Sequence, residues 1–289
     1  MSLDVAPAFS HAALCETLDG GQMFRFNLST DGVWTGVWGG HVAKVREEGQ
    51  GIEASFPAGR EVEGLPALRH LLALDRPYGD YHAALPRRID TVLDRAMVAC
   101  EGLRIVNLPL GEALLCFLCS PMKRIPQIKQ VLENIARDFG PELLPGIHAL
   151  PTWAELANAT EEDLRGCKLG YRAHSIAGTA RMLAEKPNFL NEVAALPYAE
   201  ARQKLTELPG VGGKIADCVL LYSGAADLQP FPVDTWILKA MATLYGLDGW
   251  EPEQVGQFGR THFGDLAGLA QQFLFVYARK QRRVTTNEH

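Results

Sequence analysis

The segment "LPGVGGKIADCVLLY" (Leu208–Tyr222) places three glycines inside four residues, then a lysine, then apolar residues at helical spacing. Glycines permit positive φ and close backbone approach, so Pro209–Gly213 reads as a tight turn. Upstream, "KLTEL" ends a helix. Downstream, Ile215, Cys218, Val219 and Tyr222 fall at i, i+3, i+4 and i+7, one face of a second helix that Gly224 ends. The chain is committed here to helix, glycine hairpin, helix. A helix start presents main-chain N–H groups that bind phosphate without a side chain, so Gly210 and Gly212 are candidate DNA contacts. A plain corner between two helices accounts for the same glycines, and both readings stand. A nucleotide-binding P-loop is excluded, because the lysine is not followed by Ser or Thr and the loop is too short.

Lys214 follows the last glycine, and Cys218 lies four residues on, on the same helix face. As a free amine Lys214 is a nucleophile; as an ammonium it is an ordinary salt-bridging surface charge. Twenty residues later comes "FPVDTWILKAMATLYG". Asp234 precedes an apolar-periodic helix through Ile237, Met241 and Leu244 that stops at Gly246, the position of an N-cap. A carboxylate held there can also stabilise positive charge developing on a sugar.

Residues 21–57 have a different period. "MFRFNL", "GVWTGVW", "HVAKV" and "IEASF" are short, partly alternating and rich in β-branched and aromatic residues, with "STDG", "GG" and "EEGQG" between them. This is the pattern of an antiparallel meander. From about residue 63 the period is helical: "LPALRHLLALD", "IDTVLDRAMV", the nearly all-apolar "LGEALLCFLC" and "KRIPQIKQVLENIARDFG". "TWAELANA", "TEEDLRGC" and "RAHSIAGTARMLAE" follow as short helices. The expected fold class is α+β. A small N-terminal antiparallel β-sheet domain with flanking helices (1–95) precedes a larger all-helical domain with the helix-hairpin-helix motif (96–289). The active site is expected in the cleft near 208–236.

The net charge of −6 over 289 residues disfavours nucleic acid as a partner when taken alone, but local distribution matters more. Lys123, Arg124 and Lys129 form one basic cluster, and Arg279, Lys280, Arg282 and Arg283 another. Both read as solvated helix ends or a tail when no other feature is considered. The six cysteines are scattered among apolar neighbours and are expected as buried free thiols in a reducing cytoplasm. Cys116 and Cys119 make a lone C-x-x-C in an apolar helix, which is core packing rather than half of a zinc site. The N-terminus lacks a basic region followed by an apolar run, so no signal peptide is expected, and no stretch is long enough to span a bilayer.

"LPGVGGKIADC" followed by "FPVDTW" resembles the helix-hairpin-helix-GPD superfamily of DNA glycosylases, and within it most closely the 8-oxoguanine DNA glycosylase family. "GGQMFRF", "LCFLCS", "KLGYRAHSIAGTAR" and "GLAQQFLFVYARKQ" are similar to that family's segments in the family's order, so the resemblance covers most of the chain. It implies a bifunctional glycosylase and AP lyase without a cofactor, acting as a monomer on double-stranded DNA that contains a damaged base. Lys214 then matches the nucleophile that attacks C1′ and forms a Schiff base, and Asp234 the assisting aspartate. Gly21 matches the glycine whose carbonyl accepts the N7–H that 8-oxoguanine has and guanine lacks. Cys218 and Phe275 match the walls that sandwich the flipped base, and Gln271 a residue on its Watson–Crick edge. Tyr171 matches an aromatic wedge, and Arg172 a residue facing the estranged cytosine. The carbonyls of Thr206, Leu208 and Val211 match a hairpin site for a monovalent cation.

The chain departs from the family in "PMKRIPQ", where Met122, Lys123 and Arg124 replace asparagines and Gln127 replaces an arginine that supports the orphaned cytosine. Relaxed discrimination for the opposite base is the expectation. Trp236 stands where a histidine is usual, and the four-cysteine loop of iron–sulfur relatives is lacking. An alkylpurine glycosylase, which Lys214 disfavours, and a non-catalytic helix-hairpin-helix DNA-binding protein are the alternatives. The location expected is the cytoplasm of a bacterium or archaeon, or the nucleus of a eukaryote; the protein is not expected to be secreted.

Overall fold

The computed structural model describes residues 1–3, 8–49 and 51–287, with side chains described as far as Gln281. Five strands, β1 (Ser2–Leu3), β2 (Phe26–Leu28), β3 (Trp34–Trp38), β4 (His41–Glu48) and β5 (Gly51–Ser55), form an antiparallel sheet in the order β1-β5-β4-β3-β2. The meander is therefore as its alternation predicts, with β1 added at the β5 edge. Cross-strand partners Phe26↔Gly36↔Ala43 and Trp34↔Val45↔Ala54 lie on one face, and all of them are buried. Gly36 is required there, because any Cβ would overlap the Phe26 ring.

The rest is helical apart from a short hairpin of β6 (Glu142–Leu144) and β7 (Ile147–His148). The helix Leu110–Cys119 is buried along most of its length, as an all-apolar sequence predicts, and packs against the helix Gly213–Tyr222. Cys116 and Cys119 are core residues, and burial pushes the Cys119 thiol up to about 12. Five of the six free cysteines are buried, and Cys15 is half-buried. The helix Ile125–Phe139 buries Ile128, Val131 and Ile135, with Ile125 and Phe139 half-buried on the same face. Thr152 and Thr160 both cap helices through reciprocal bonds with Glu155 and Asp163. No described helix is long and apolar enough to cross a membrane.

The 95/96 division falls inside the helix Thr91–Val98, which packs on the C-terminal helix Ala267–Asn287. Its N-cap Asp90 accepts hydrogen bonds from Tyr245 Oη (2.9 Å) and pairs with His262 Nε2 (3.0 Å). The sheet is tied to the helices as firmly. Phe24 packs edge-on to Phe117 at 5.7 Å, and the Gly39 N–H donates to Glu112 at 2.8 Å. Lys129 Nζ reaches Asp19 at 2.6 Å.

Three members of the basic clusters are not the solvated surface that composition suggests, whereas Arg124 is exposed. Lys129 turns inward to Asp19, and Lys280 donates to the Ala99 carbonyl at 2.8 Å. Arg279 pairs with Glu16 and is 14% exposed. The reason is that the C-terminal helix lies against the loop after Asp19 and the end of the helix Thr91–Val98, whose carbonyls and acids need donors. Arg282 and Arg283 have side chains outside the described residues.

Candidate active site

The helix-hairpin-helix runs from Tyr198–Leu205 through the glycine turn to Gly213–Tyr222. Gly210 has φ +81°, and a Cβ on it would sit 2.6 Å from Ser175 Cβ, so only glycine fits. Gly210 and Gly212 are exposed, and Gly212 is an N-cap with no side chain to satisfy the first-turn N–H groups. Thr206 ends the first helix, and the Leu208 carbonyl accepts the Val211 N–H at 3.1 Å.

Lys214 occupies the first turn of the second helix and is half-buried. Its Nζ lies over the Phe117 ring, 5.7 Å from the centroid, and Lys214 shares the pocket with the Cys218 thiol. No carboxylate pairs with it among the described residues, so it is not a salt-bridging surface lysine. Burial pushes the Cys218 thiol up to about 11, with Lys214 opposing the rise. Cys218 is thus a neutral wall at physiological pH rather than a thiolate nucleophile.

Asp234 is an N-cap as its position predicts. Its Oδ1 accepts the N–H groups of Trp236 (2.9 Å) and Ile237 (2.8 Å), which leaves Oδ2 for the cavity. The backbone bonds fix the carboxylate at the rim, and Trp236 beside it is 39% exposed.

One pocket brings the separate segments together: Gly21, Lys214, Cys218, Asp234, Gln271 and Phe275 all line it. Gly21 comes from the loop before β2, with φ +104° that favours glycine. Its neighbour Gln22 is fully buried. Gln22 donates to the Arg104 carbonyl (2.9 Å) and accepts from Val106 N–H (3.1 Å), which pins the loop to the chain beneath. Gln271 and Phe275 are four apart on the C-terminal helix and so share its inner face. The Gln271 amide donates to the Pro232 carbonyl, and its Oε1 is buried without a partner.

Phe117 and Tyr222 also line the pocket and were not expected there. Their rings stack at 5.2 Å, and Tyr222 Oη donates to Gln272 at 2.8 Å. Tyr222 was legible as a member of the Cys218 face, but its partner sits on a helix a hundred residues earlier in the chain, and no local pattern links them. Asp217, buried beside Cys218, accepts from Tyr198 Oη (2.7 Å) and Arg202 Nε (2.9 Å) and locks the two hairpin helices together.

A wider groove extends from the pocket along Met122, Lys123, Arg124 and Gln127 on one side and Trp236 on the other. Met122 is 93% exposed with φ +54°. Gln127 is engaged locally, its Oε1 accepting the Arg124 N–H at 2.9 Å. Tyr171 is exposed, whereas Arg172 is buried beneath it, with its guanidinium 4.5 Å from the Tyr171 ring centroid. Arg172 donates to the Pro121 and Leu169 carbonyls, so the structure turns it inward under the groove loop rather than outward to solvent.

A glycine hairpin that places a lysine on the same pocket as an N-capping aspartate is the arrangement of a DNA glycosylase of the helix-hairpin-helix class. The model of the HhH-GPD superfamily base excision DNA repair protein matches residues 123–260, and that of the 8-oxoguanine DNA glycosylase N-terminal domain matches 7–114. The chain belongs to the 8-oxoguanine DNA glycosylase family. It is 30% identical to the 8-oxoguanine glycosylase/lyase of Clostridium acetobutylicum, solved with double-stranded DNA containing cytosine opposite 8-oxoG; the match covers 98% of each chain with a TM-score of 0.87. It is 29% identical to N-glycosylase/DNA lyase OGG1 of Arabidopsis thaliana over 282 residues, 90% of this chain and 75% of that one. A 40% identical match to the "Probable N-glycosylase/DNA lyase" of Methanothermobacter thermautotrophicus spans 118 residues, 41% of this chain and 37% of that one.

Proposed function

We propose that this protein is a bifunctional DNA glycosylase and AP lyase that removes 8-oxoguanine from duplex DNA in base excision repair. The observation that carries the reading is the single pocket where Lys214, Asp234 and four base-binding positions from separate segments meet. Extrusion of the base into it is necessary, because C1′ and the base edge are out of reach in the duplex.

Lys214 Nζ attacks C1′, and the glycosidic bond breaks with its electron pair leaving on the base. Asp234 stabilises the positive charge that develops on the sugar as that bond weakens. The lysine nitrogen then forms an imine with the opened sugar, and loss of a C2′ proton expels the 3′ phosphate by β-elimination. The Gly21 carbonyl accepts the N7–H of the lesion; guanine would leave that acceptor unpaired, a cost of about 1–3 kcal/mol. Gln271 Oε1, already buried without a donor, accepts from the Watson–Crick edge, whose N1 and N2 groups both donate. Cys218 and Phe275 enclose the two faces.

The exposed turn at Gly210 and Gly212 and the uncapped first-turn N–H groups grip a phosphate. Carbonyls of Thr206, Leu208 and Val211 are proposed to bind a monovalent cation under that turn. Tyr171 is proposed as the wedge in the vacated stack, with Arg172 supporting the groove loop from below. Residues 1–95 contribute Gly21, and 96–289 the remaining site. The location proposed is cytoplasmic or nuclear.

Borohydride reduction during incubation with an 8-oxoguanine duplex tests the reading. The wild type should form a covalent protein–DNA complex, and Lys214→Gln should form none. Absence of trapping in the wild type, or undiminished trapping in Lys214→Gln, rejects it. Release of 3-methyladenine in preference to 8-oxoguanine would instead identify an alkylpurine enzyme.

A further inference from the structure

Gln271, Phe275 and Arg279 recur at i, i+4 and i+8 along the C-terminal helix, so they form one stripe on its pocket side. The first two line the base pocket. The third reaches past it. Arg279 Nη1 donates to the Gly20 carbonyl at 3.1 Å, Nη2 pairs with Glu16, and the guanidinium lies 5.3 Å from the Phe275 ring centroid. Both partners of the ion pair are largely buried, at 14% and 11% exposure, so neither is a screened surface charge.

We propose that Arg279 and Glu16 are positioning residues for lesion recognition, a clamp that sets the Gly20–Gly21 loop and the Phe275 ring at a fixed separation. This rests on the function proposed above. Gly20 is the C-cap of the helix His11–Asp19, its N–H donating to the Glu16 carbonyl at 3.0 Å, and a side chain there would overlap that carbonyl. Gln22 pins the loop from the opposite side through Arg104 and Val106. The peptide between Gly20 and Gln22, which carries the recognising carbonyl, is thus held at both ends. At the first end the helix cap holds the Gly20 N–H, and Arg279 holds the Gly20 carbonyl. A guanidinium suits the task, since its fork meets a carboxylate and a carbonyl together while its face lies on a ring; an ammonium cannot do all three.

The test separates recognition from the later chemistry. Strand cleavage at a preformed abasic site uses Lys214 but needs no base in the pocket. In single-turnover assays Arg279→Met should lower 8-oxoguanine excision by about tenfold to a hundredfold, the scale of a displacement of roughly 1 Å. Abasic-site cleavage and affinity for undamaged duplex should stay within about twofold of wild type. Glu16→Gln, which keeps the shape, should lose excision in the same selective way, and Arg279→Lys should recover part of it. Parallel loss of excision and abasic-site cleavage would make the pair merely structural and overturn the proposal. So would unchanged excision, or weakened binding of all duplexes with a shallower salt dependence, the mark of a phosphate contact. Failure of the wild-type protein to excise 8-oxoguanine would reject the proposed function instead.

Discussion

The Gln271 amide donates to the Pro232 carbonyl at 3.0 Å, and this bond decides which end of the amide is left unpaired. With the nitrogen engaged, Oε1 is a buried acceptor without a donor. A purine edge with N–H groups completes it; an edge that offers an acceptor there is repelled. Gln271→Ala should therefore lower 8-oxoguanine excision by about 1–3 kcal/mol, roughly tenfold to a hundredfold. Abasic-site cleavage should persist. Equal loss of both activities in rate assays would contradict the role.

Asp234 combines two duties that substitution can part. Asn caps a helix about as well as Asp, so Asp234→Asn should leave thermal unfolding nearly unchanged. Asp234→Ala removes the acceptor for Trp236 and Ile237 and should cost about 1 kcal/mol of stability. Both should lose excision by about a hundredfold or more, because neither carries charge toward the sugar. Retained excision in Asp234→Asn would limit this residue to capping.

Burial pushes the Asp217 carboxyl from its ordinary 3.8 up to about 6, against the attraction of Arg202 and the Tyr198 hydrogen bond. Burial also works against the Arg202 guanidinium, but Asp217 and Glu253 outweigh it there. The raised acid sets the sign. Between 3.8 and about 6 the folded state holds more of this proton than the unfolded state, so the group's contribution to stability falls as pH rises and is level above that window. Denaturant titrations of wild type and Asp217→Asn should show a stability difference that changes between pH 4 and 6 and is constant above about pH 7. A difference that does not vary with pH would show that the carboxyl titrates near its ordinary value.

Gln127 stands where a base-supporting arginine is expected, and its Oε1 is spent on the Arg124 N–H. Met122, at 93% exposure, brings no hydrogen-bonding group to the groove. With Met122 apolar, the Gln127 oxygen engaged and no arginine fork at either position, trapping yields opposite cytosine, adenine, guanine and thymine should lie within about tenfold of one another, since only a site that hydrogen-bonds its partner closely rejects analogues strongly. Restriction to cytosine by more than about a hundredfold would defeat this prediction.

What was readable in the chain was local. Glycine spacing at Gly210–Gly213 required a turn, the 3.6-residue period defined the helices on each side, and alternation from Phe26 to Ser55 defined the meander. Asp234 was recognisable as a cap because capping involves residues two and three positions away. Spacing alone suits Lys214 better as a salt-bridging surface lysine, and its role as a nucleophile came from resemblance.

Tertiary structure decided which of these features meet. Gly20 and Arg279 bond across 259 residues, and Gln22 and Val106 across 84. No periodicity records such contacts. The same basic residues that composition assigns to a solvated tail are turned inward when a carboxylate or carbonyl lies within reach, as with Arg279 and Lys280. Arg172 follows the same rule under the groove loop. Sequence by itself determined the elements, because helix, turn and strand preferences act over a few residues. The pocket, which Gly21 and Lys214 both line, exists only once the sheet packs on the helices, because a buried polar group takes its partner from whatever the fold places beside it.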